Sequence, residues 1–273
     1  MTLPTFPVGD LHTILPELFI CASAFTLLMA DLFIDAKRRA LIHFLAIAVL
    51  AAAVLLTVRD MVSVTGTALG GMFIRDNMAD VLKIGTCLVS AVALLYAWPF
   101  LRERGLYKGE VSVLVLFAVA GMMLLISAGS LVMVYLGLEL LALSSYGLVG
   151  FDRDNPSVSE AAMKYFVLGS IASGLLLYGM SMVYGATGSL QFDAIYAAAG
   201  QTASPYMFKL GVVFMLAGIA FKFGAAPFHM WLPDVYQGAP TAVTAFISSA
   251  PKLAAFAMAY RLLESAAGIA SAD

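Results

Sequence analysis

Eight stretches of about 20 apolar residues, joined by short polar connections, limit what this chain can become. They fall at roughly 12–34, 40–58, 78–101, 110–127, 130–150, 159–185, 206–226 and 240–262. A helix needs about 20 apolar residues to cross the hydrocarbon layer, so the spacing predicts an all-α integral membrane protein with eight transmembrane helices. Of 273 residues, 62% are hydrophobic and 12% charged, against about 25% charged in a soluble domain. A soluble fold of this length cannot hide that much apolar surface. The formal net charge of −2 offers nucleic acid no basic field. Cys21 and Cys87 lie in apolar runs without a CxxC or metal-ligand spacing, and read as buried small hydrophobes. The opening MTLPTFPVGD has no basic n-region, so no cleavable signal peptide is expected.

Basic residues in the connections set an orientation. With the N-terminus outside, the inner loops hold Lys37, Arg38, Arg39, Arg102, Arg104, Lys108 and Arg153, whereas the outer loops hold Arg59 and Arg75. This predicts an N-terminus on the outer side of the membrane. The connection at 59–77 is longer than most. In the connection at 186–205, Leu190, Phe192, Ile195 and Tyr196 predict a short interfacial helix. The sixth span opens on Asn155-Pro156, with Ser157 expected as the N-cap and Glu160 completing a capping box.

Ionisable residues near span ends read as anchors that reach headgroups or water. That group holds Asp10, His12, Glu17, Asp31, His43, Asp80, Lys83, Glu110, Lys209, Arg261 and Glu264, with Lys83 the poorest fit. His12 and His43 fall at opposite ends of their spans and cannot share a haem iron. Four residues do not fit the anchoring pattern. Glu139 is eleven residues from Gly150, roughly 16 Å along a helix and so near the bilayer centre. Lys252 is similarly deep in the eighth span. Lys222 ends the apolar part of the seventh, and Lys164 lies shallower in the sixth. A charge at the centre of a membrane helix costs about 2.5–3.5 kcal/mol on the insertion scale, so such groups face protein or water and mark ion pathways. A buried structural Glu–Lys pair is the alternative. Tyr135, Glu139 and Tyr146 share one helical stripe, where their hydroxyls can help hold water.

The stretch FKFGAAPFHMWLPDVYQGAPT, from Phe221 to Thr241, interrupts the greasy pattern. Gly224 weakens the helix and Pro227 cannot continue it. Broken backbone at membrane depth is tolerated inside protein or beside a water-filled cavity, where free backbone groups and water serve an ion. Lys222 at that break reads as a proton site. Pro240 is expected to begin the next helix, and Pro251 to loosen it beside Lys252.

These same residues carry a resemblance. YLGLELLALSSYGLVGF, EAAMKYFVLGSIASGLLLYGMSMVYGATGSL and FKFGAAPFHMWLPDVYQGAPTAVTAFISSAPK resemble the antiporter-like membrane subunits of respiratory complex I, the proton-translocating NADH:quinone oxidoreductase. The match runs through about 110–262. It implies an N-terminal three-helix segment at 1–109 and a five-helix antiporter-like repeat at 110–264 with a broken seventh helix. A polar tail at 265–273 then stands where the family continues into a second repeat. It also implies that Glu139, Lys222, Lys252 and Lys164 are the family's proton-transfer residues, joined by His229 after the break. No cofactor is expected in this chain: NADH, flavin, iron–sulfur clusters and quinone belong on other subunits. The expected partners are other membrane-arm subunits and lipid. A freestanding cation/proton antiporter and a non-conducting scaffold are the competing readings, the latter because the second repeat is missing.

Overall fold

The computed structural model describes the backbone of residues 8–35 and 39–270, and the side chains of 9–35 and 39–263. Lys37, Arg38, residues 1–7 and 271–273, and the side chain of Glu264 lie outside the described residues. Among the described residues, eight helices are long and apolar enough to cross a membrane: α2 (Leu15–Phe33), α3 (Ala40–Asp60), α4 (Asn77–Glu103), α5 (Gly109–Ile126), α6 (Leu131–Val149), α7 (Pro156–Thr187), α9 (Pro205–Phe223) and α11 (Thr241–Ala270), whose apolar part runs to Leu263. The chain is therefore a multi-pass membrane protein. The described residues also form three short α-helices, α1 (Val8–Thr13), α8 (Phe192–Ala199) and α10 (Trp231–Gly238), and a 3-10 turn at Leu69–Gly71.

Helix–helix association in lipid relies on close packing, and small residues let backbones approach. Two helix pairs use this device. On α5 and α6, a Cβ at Gly121 would lie 2.8 Å from the Gly137 carbonyl oxygen, and one at Gly137 would lie 2.8 Å from that of Gly121. On α7 and α9, Gly179 and Gly211 meet in the same way, a Cβ on Gly211 falling 2.8 Å from the Gly179 oxygen. The α5 helix is buried nearly all round. It packs on α2, α3, α4, α6 and α11, joining the first three spans to the later ones.

The long connection after α3 forms an antiparallel hairpin, β1 (Gly66–Ala68) with β2 (Phe73–Arg75), pairing Gly66 with Arg75 and Ala68 with Phe73. It lies against α1, where the Leu69 N–H of its turn donates to Asp10 Oδ2 at 2.8 Å. Its edge is held by the Ile74 N–H donating to Ser127 O (2.8 Å) and the Gly129 N–H donating to Met72 O (2.8 Å). The Gln191 side chain ahead of α8 donates to Gly70 O (2.7 Å). The α8 helix lies where the apolar residues of 186–205 place it, with Phe192 and Ile195 buried.

Several expectations change. The anchoring role fails for Glu17, His43, Asp80, Lys83 and Arg261, all of which are buried. Glu17 pairs with Lys83 at 2.7 Å, Asp80 with Arg75 at 3.1 Å, and Arg261 with Asp76 at 2.8 Å. Phe73 and Arg75 of the hairpin reach into the bundle beside Lys83 and Asp80, so charges there that look water-facing in the sequence find protein partners instead, while His43, at the opposite end, is held by Leu94 O and Ser112 Oγ. The N-cap of α7 is Asn155, whose side chain accepts from the Ser157 N–H at 3.1 Å, with Pro156 in the first turn. Glu160 is therefore released from the capping box and pairs with Lys164 at 2.8 Å. The expected polar tail is partly helical, because α11 continues to Ala270.

Candidate functional site

The last turn of an α-helix leaves four carbonyls without intrahelical partners. At the end of α9 each is satisfied. Gly224 adopts the left-handed conformation (φ 73°, ψ 33°) that lets a glycine close a helix. Its N–H donates to Phe221 O at 3.0 Å, and the Ala225 N–H donates to Ala220 O at 2.9 Å. The Trp231 indole N–H also donates to Phe221 O, at 3.0 Å. Lys252 Nζ, arriving from α11, donates to both remaining carbonyls, Lys222 O and Phe223 O, each at 3.0 Å. A cation at a helix C-terminus faces the negative end of the helix dipole. The Lys252 head also lies 5.4 Å from the centre of the Trp231 ring. Pro251 denies α11 one backbone N–H immediately before that lysine.

Lys222 and Lys252 line one cavity of about 20 Å3 with Trp231, Tyr165 and Ser145. A volume of about 10–15 Å3 holds one water, so this cavity has room for a water beside the two lysines. Trp231 forms its wall, stacked on Tyr165 (4.9 Å) and on Phe221 (5.4 Å). The sequence reading missed Trp231. Its signal was a large apolar side chain with one polar atom, sitting just past a helix break.

Glu139 is partly buried on α6. Its Oε1 is buried without a hydrogen-bond partner among the described residues. Lys222 feels the charges of both Glu139 and Lys252, but no ion pair within 4.0 Å joins Glu139 to a lysine among the described residues. Tyr146, on the Glu139 stripe, has a buried hydroxyl without a hydrogen-bond partner among the described residues. It packs edge-on against Tyr165 at 4.8 Å, and its hydroxyl fills the space left by the absent side chain of Gly169.

Lys164 stands apart. It is paired with Glu160 at 2.8 Å and Asp234 at 3.0 Å. Those three, with Ser157 and Gln237, line an open cavity of about 130 Å3 where α7 begins and α10 ends. His229 is exposed in the turn between α9 and α10, outside both cavities. Pro227 is exposed in the same turn, and its bond to Ala226 is cis. Pro240 precedes α11, its carbonyl accepting from the Val243 (2.8 Å) and Thr244 (3.0 Å) N–H groups.

A family model described as NADH:quinone oxidoreductase/Mrp antiporter, TM, matches residues 128–271, more than half of the chain. The chain belongs to this antiporter family. Glu139, Lys164, Lys222, His229 and Lys252 all fall inside the family segment, and α2, α3 and α4 outside it. The chain is 58% identical over 267 residues to the NADH-quinone oxidoreductase subunit N of Xanthomonas euvesicatoria, covering 97% of this chain and 55% of that protein. It is 53% identical over 251 residues to the subunit N of Thiobacillus denitrificans, covering 91% and 52%. Among solved structures it resembles a chain of respiratory complex I from Thermus thermophilus, with a TM-score of 0.76 at 30% identity over 90% of this chain and 52% of that one. A chain of the Mrp complex from Dietzia sp. shares the fold, with a TM-score of 0.76 at 24% identity over 92% and 48%. The chain thus spans about half the length of the curated relatives it matches.

Proposed function

We propose that this chain is part of a membrane-arm subunit of a proton-translocating NADH:quinone oxidoreductase, and that Glu139, Lys222 and Lys252 pass protons along its interior. In this reading it holds no redox centre and works beside other membrane-arm subunits. It lies in the bacterial inner membrane with the N-terminus periplasmic. The observation that carries the reading is the lysine pair at the broken helix: Lys252 satisfies the last carbonyls of α9, which places it beside Lys222 in a water-sized cavity.

The chemistry follows from that placement. Two opposite unit charges about 6 Å apart, at an effective dielectric near 20, attract by about 2.8 kcal/mol. An ionised Glu139 near Lys222 therefore holds a proton on the lysine, and motion of the carboxylate away releases it to a bridging water. That water hands the proton towards Lys252. Lys164, open to the cavity with Glu160 and Asp234, collects protons from the cytoplasmic face. His229 is the weakest member of the set, because its ring is exposed in the turn. Lys222→Met in the complete complex should cut proton uptake per electron in vesicles to a small fraction while quinone reduction and assembly persist. Full uptake in that variant would remove Lys222 from the path.

A further inference from the structure

The α2–α5 bundle contains a second set of buried polar groups, outside the segment that matches the family. Lys83 on α4 reaches Glu17 on α2, with side chains 0% and 4% exposed and 2.7 Å between Nζ and Oε1. The contact lies off the hydrogen-bond axis. Lys83 Nζ and both Glu17 oxygens are left without a hydrogen bond among the described residues. One and two turns further along α4, on the same face, Thr86 Oγ1 and Ser90 Oγ are also buried without a partner. Serine and threonine on membrane helices commonly donate to the carbonyl four residues back, as Thr57 and Ser145 do here. Thr86 and Ser90 do not. The Phe73 ring covers Lys83 at 4.9 Å, and beside it Arg75 and Asp80 form their own buried pair. At the far end of α4, His43 bridges Leu94 O (3.0 Å) and Ser112 Oγ (2.9 Å).

The Lys83–Glu17 attraction offsets only part of the hydration lost on burial while their remaining protons and lone pairs lack hydrogen bonds, and a buried hydroxyl without a partner recovers none of its own. Protein interiors resolve this with internal water, which typically makes about three hydrogen bonds to such groups. We propose that Glu17, Lys83, Thr86 and Ser90 enclose a second hydrated proton-transfer site, whose ligand is internal water. A Lys83 N–H proton passes to that water as the water gives one of its own to a Glu17 oxygen. One N–H bond breaks, one O–H bond forms on the carboxyl, and the water is regenerated. Arg75 holds Asp80 in its own pair, so the mobile proton belongs to Glu17 and Lys83.

Cys87 is a built-in reporter. It is 1% exposed, sits between Thr86 and Ser90, and feels the charges of Glu17 and Lys83. Hydroxyl radicals generated by X-ray pulses modify side chains next to bound water even when bulk solvent is excluded. With the full chain in lipid nanodiscs, Cys87 should be oxidised at least several-fold faster than Met122 and Met123, which are 0% exposed in the apolar α5. Thr86→Val with Ser90→Ala should reduce it to their level, and Glu139→Gln should leave it unchanged, which separates this site from the one above. Cys87 as inert as those methionines, or oxidised equally in the double variant, would overturn the proposal. The proton arm rests on the proposed complex: Lys83→Met with Glu17→Gln should lower proton uptake per electron by at least about a third. Undiminished uptake would refute proton transfer there.

Discussion

Lys252 shows how one side chain serves packing and chemistry together. Its ammonium replaces the backbone donors that a continuous helix would have supplied to Lys222 O and Phe223 O. The geometry depends on Gly224, which alone in the break takes a positive φ. Gly224→Ala would put an L residue in the left-handed region, at about 1–2 kcal/mol, and its Cβ would collide with the Leu232 side chain. The expected result is a loss of at least about 1–2 kcal/mol in stability, seen as a lower Tm in detergent, together with reduced proton transfer. Of the residues singled out from sequence, Lys222 and Lys252 are the ones the fold brings to one cavity, with the charge of Glu139 reaching Lys222. Lys164 and His229 lie elsewhere, because helix position predicts depth but not which face a neighbouring helix will cover. Trp231 and Asp234 escaped notice for a related reason: their partners, Phe221 O and Lys164, are reached by tertiary contact across the break.

Among the elements, spans were legible because bilayer thickness imposes one long apolar run per crossing. The stripes of α6 followed from the helical period. The eight-residue α10 was not legible, since Pro233 and Asp234 disguise a helix too short to show a period. Nor was the hairpin, whose six strand residues turn Phe73 and Arg75 into the bundle and convert apparent anchors into buried pairs. The start of α4 shows the consequence. Asp76 caps it by accepting from the Ala79 N–H at 2.7 Å, and holds Arg261 of α11 through two contacts at 2.8 and 3.1 Å. Burial alone would raise the Asp76 pKa, but the Arg261 guanidinium and the Ala79 N–H outweigh it and hold the carboxyl below the ordinary aspartate range. A carboxyl with a lowered folded-state pKa stabilises fully above its unfolded value and loses that contribution as pH falls through the folded one. The α4–α11 contact should therefore weaken as pH drops below the ordinary aspartate range. Asp76→Asn should flatten that acid limb in a plot of Tm against pH, and an unchanged limb would assign the acid sensitivity elsewhere.

At the scale of the whole molecule, α5 ties the first three spans to the family segment, and the broken α9 lies against α7 and α11. The proposed orientation is open to a direct check: a reporter inserted after Arg104 should read as cytoplasmic, and one after Gly200 as periplasmic. The reverse pattern would invert the proton path. The central claim is that Glu139 controls the proton on Lys222 at the broken helix. It is tested most directly by proton uptake per electron in vesicles carrying the complete complex, with assembly verified separately. Glu139→Gln keeps the shape and removes the charge, so uptake should fall to a small fraction of normal. Glu139→Asp keeps the charge on a shorter stem and should retain an intermediate value. A Gln variant that assembles and pumps normally would make Glu139 a structural residue and contradict the account.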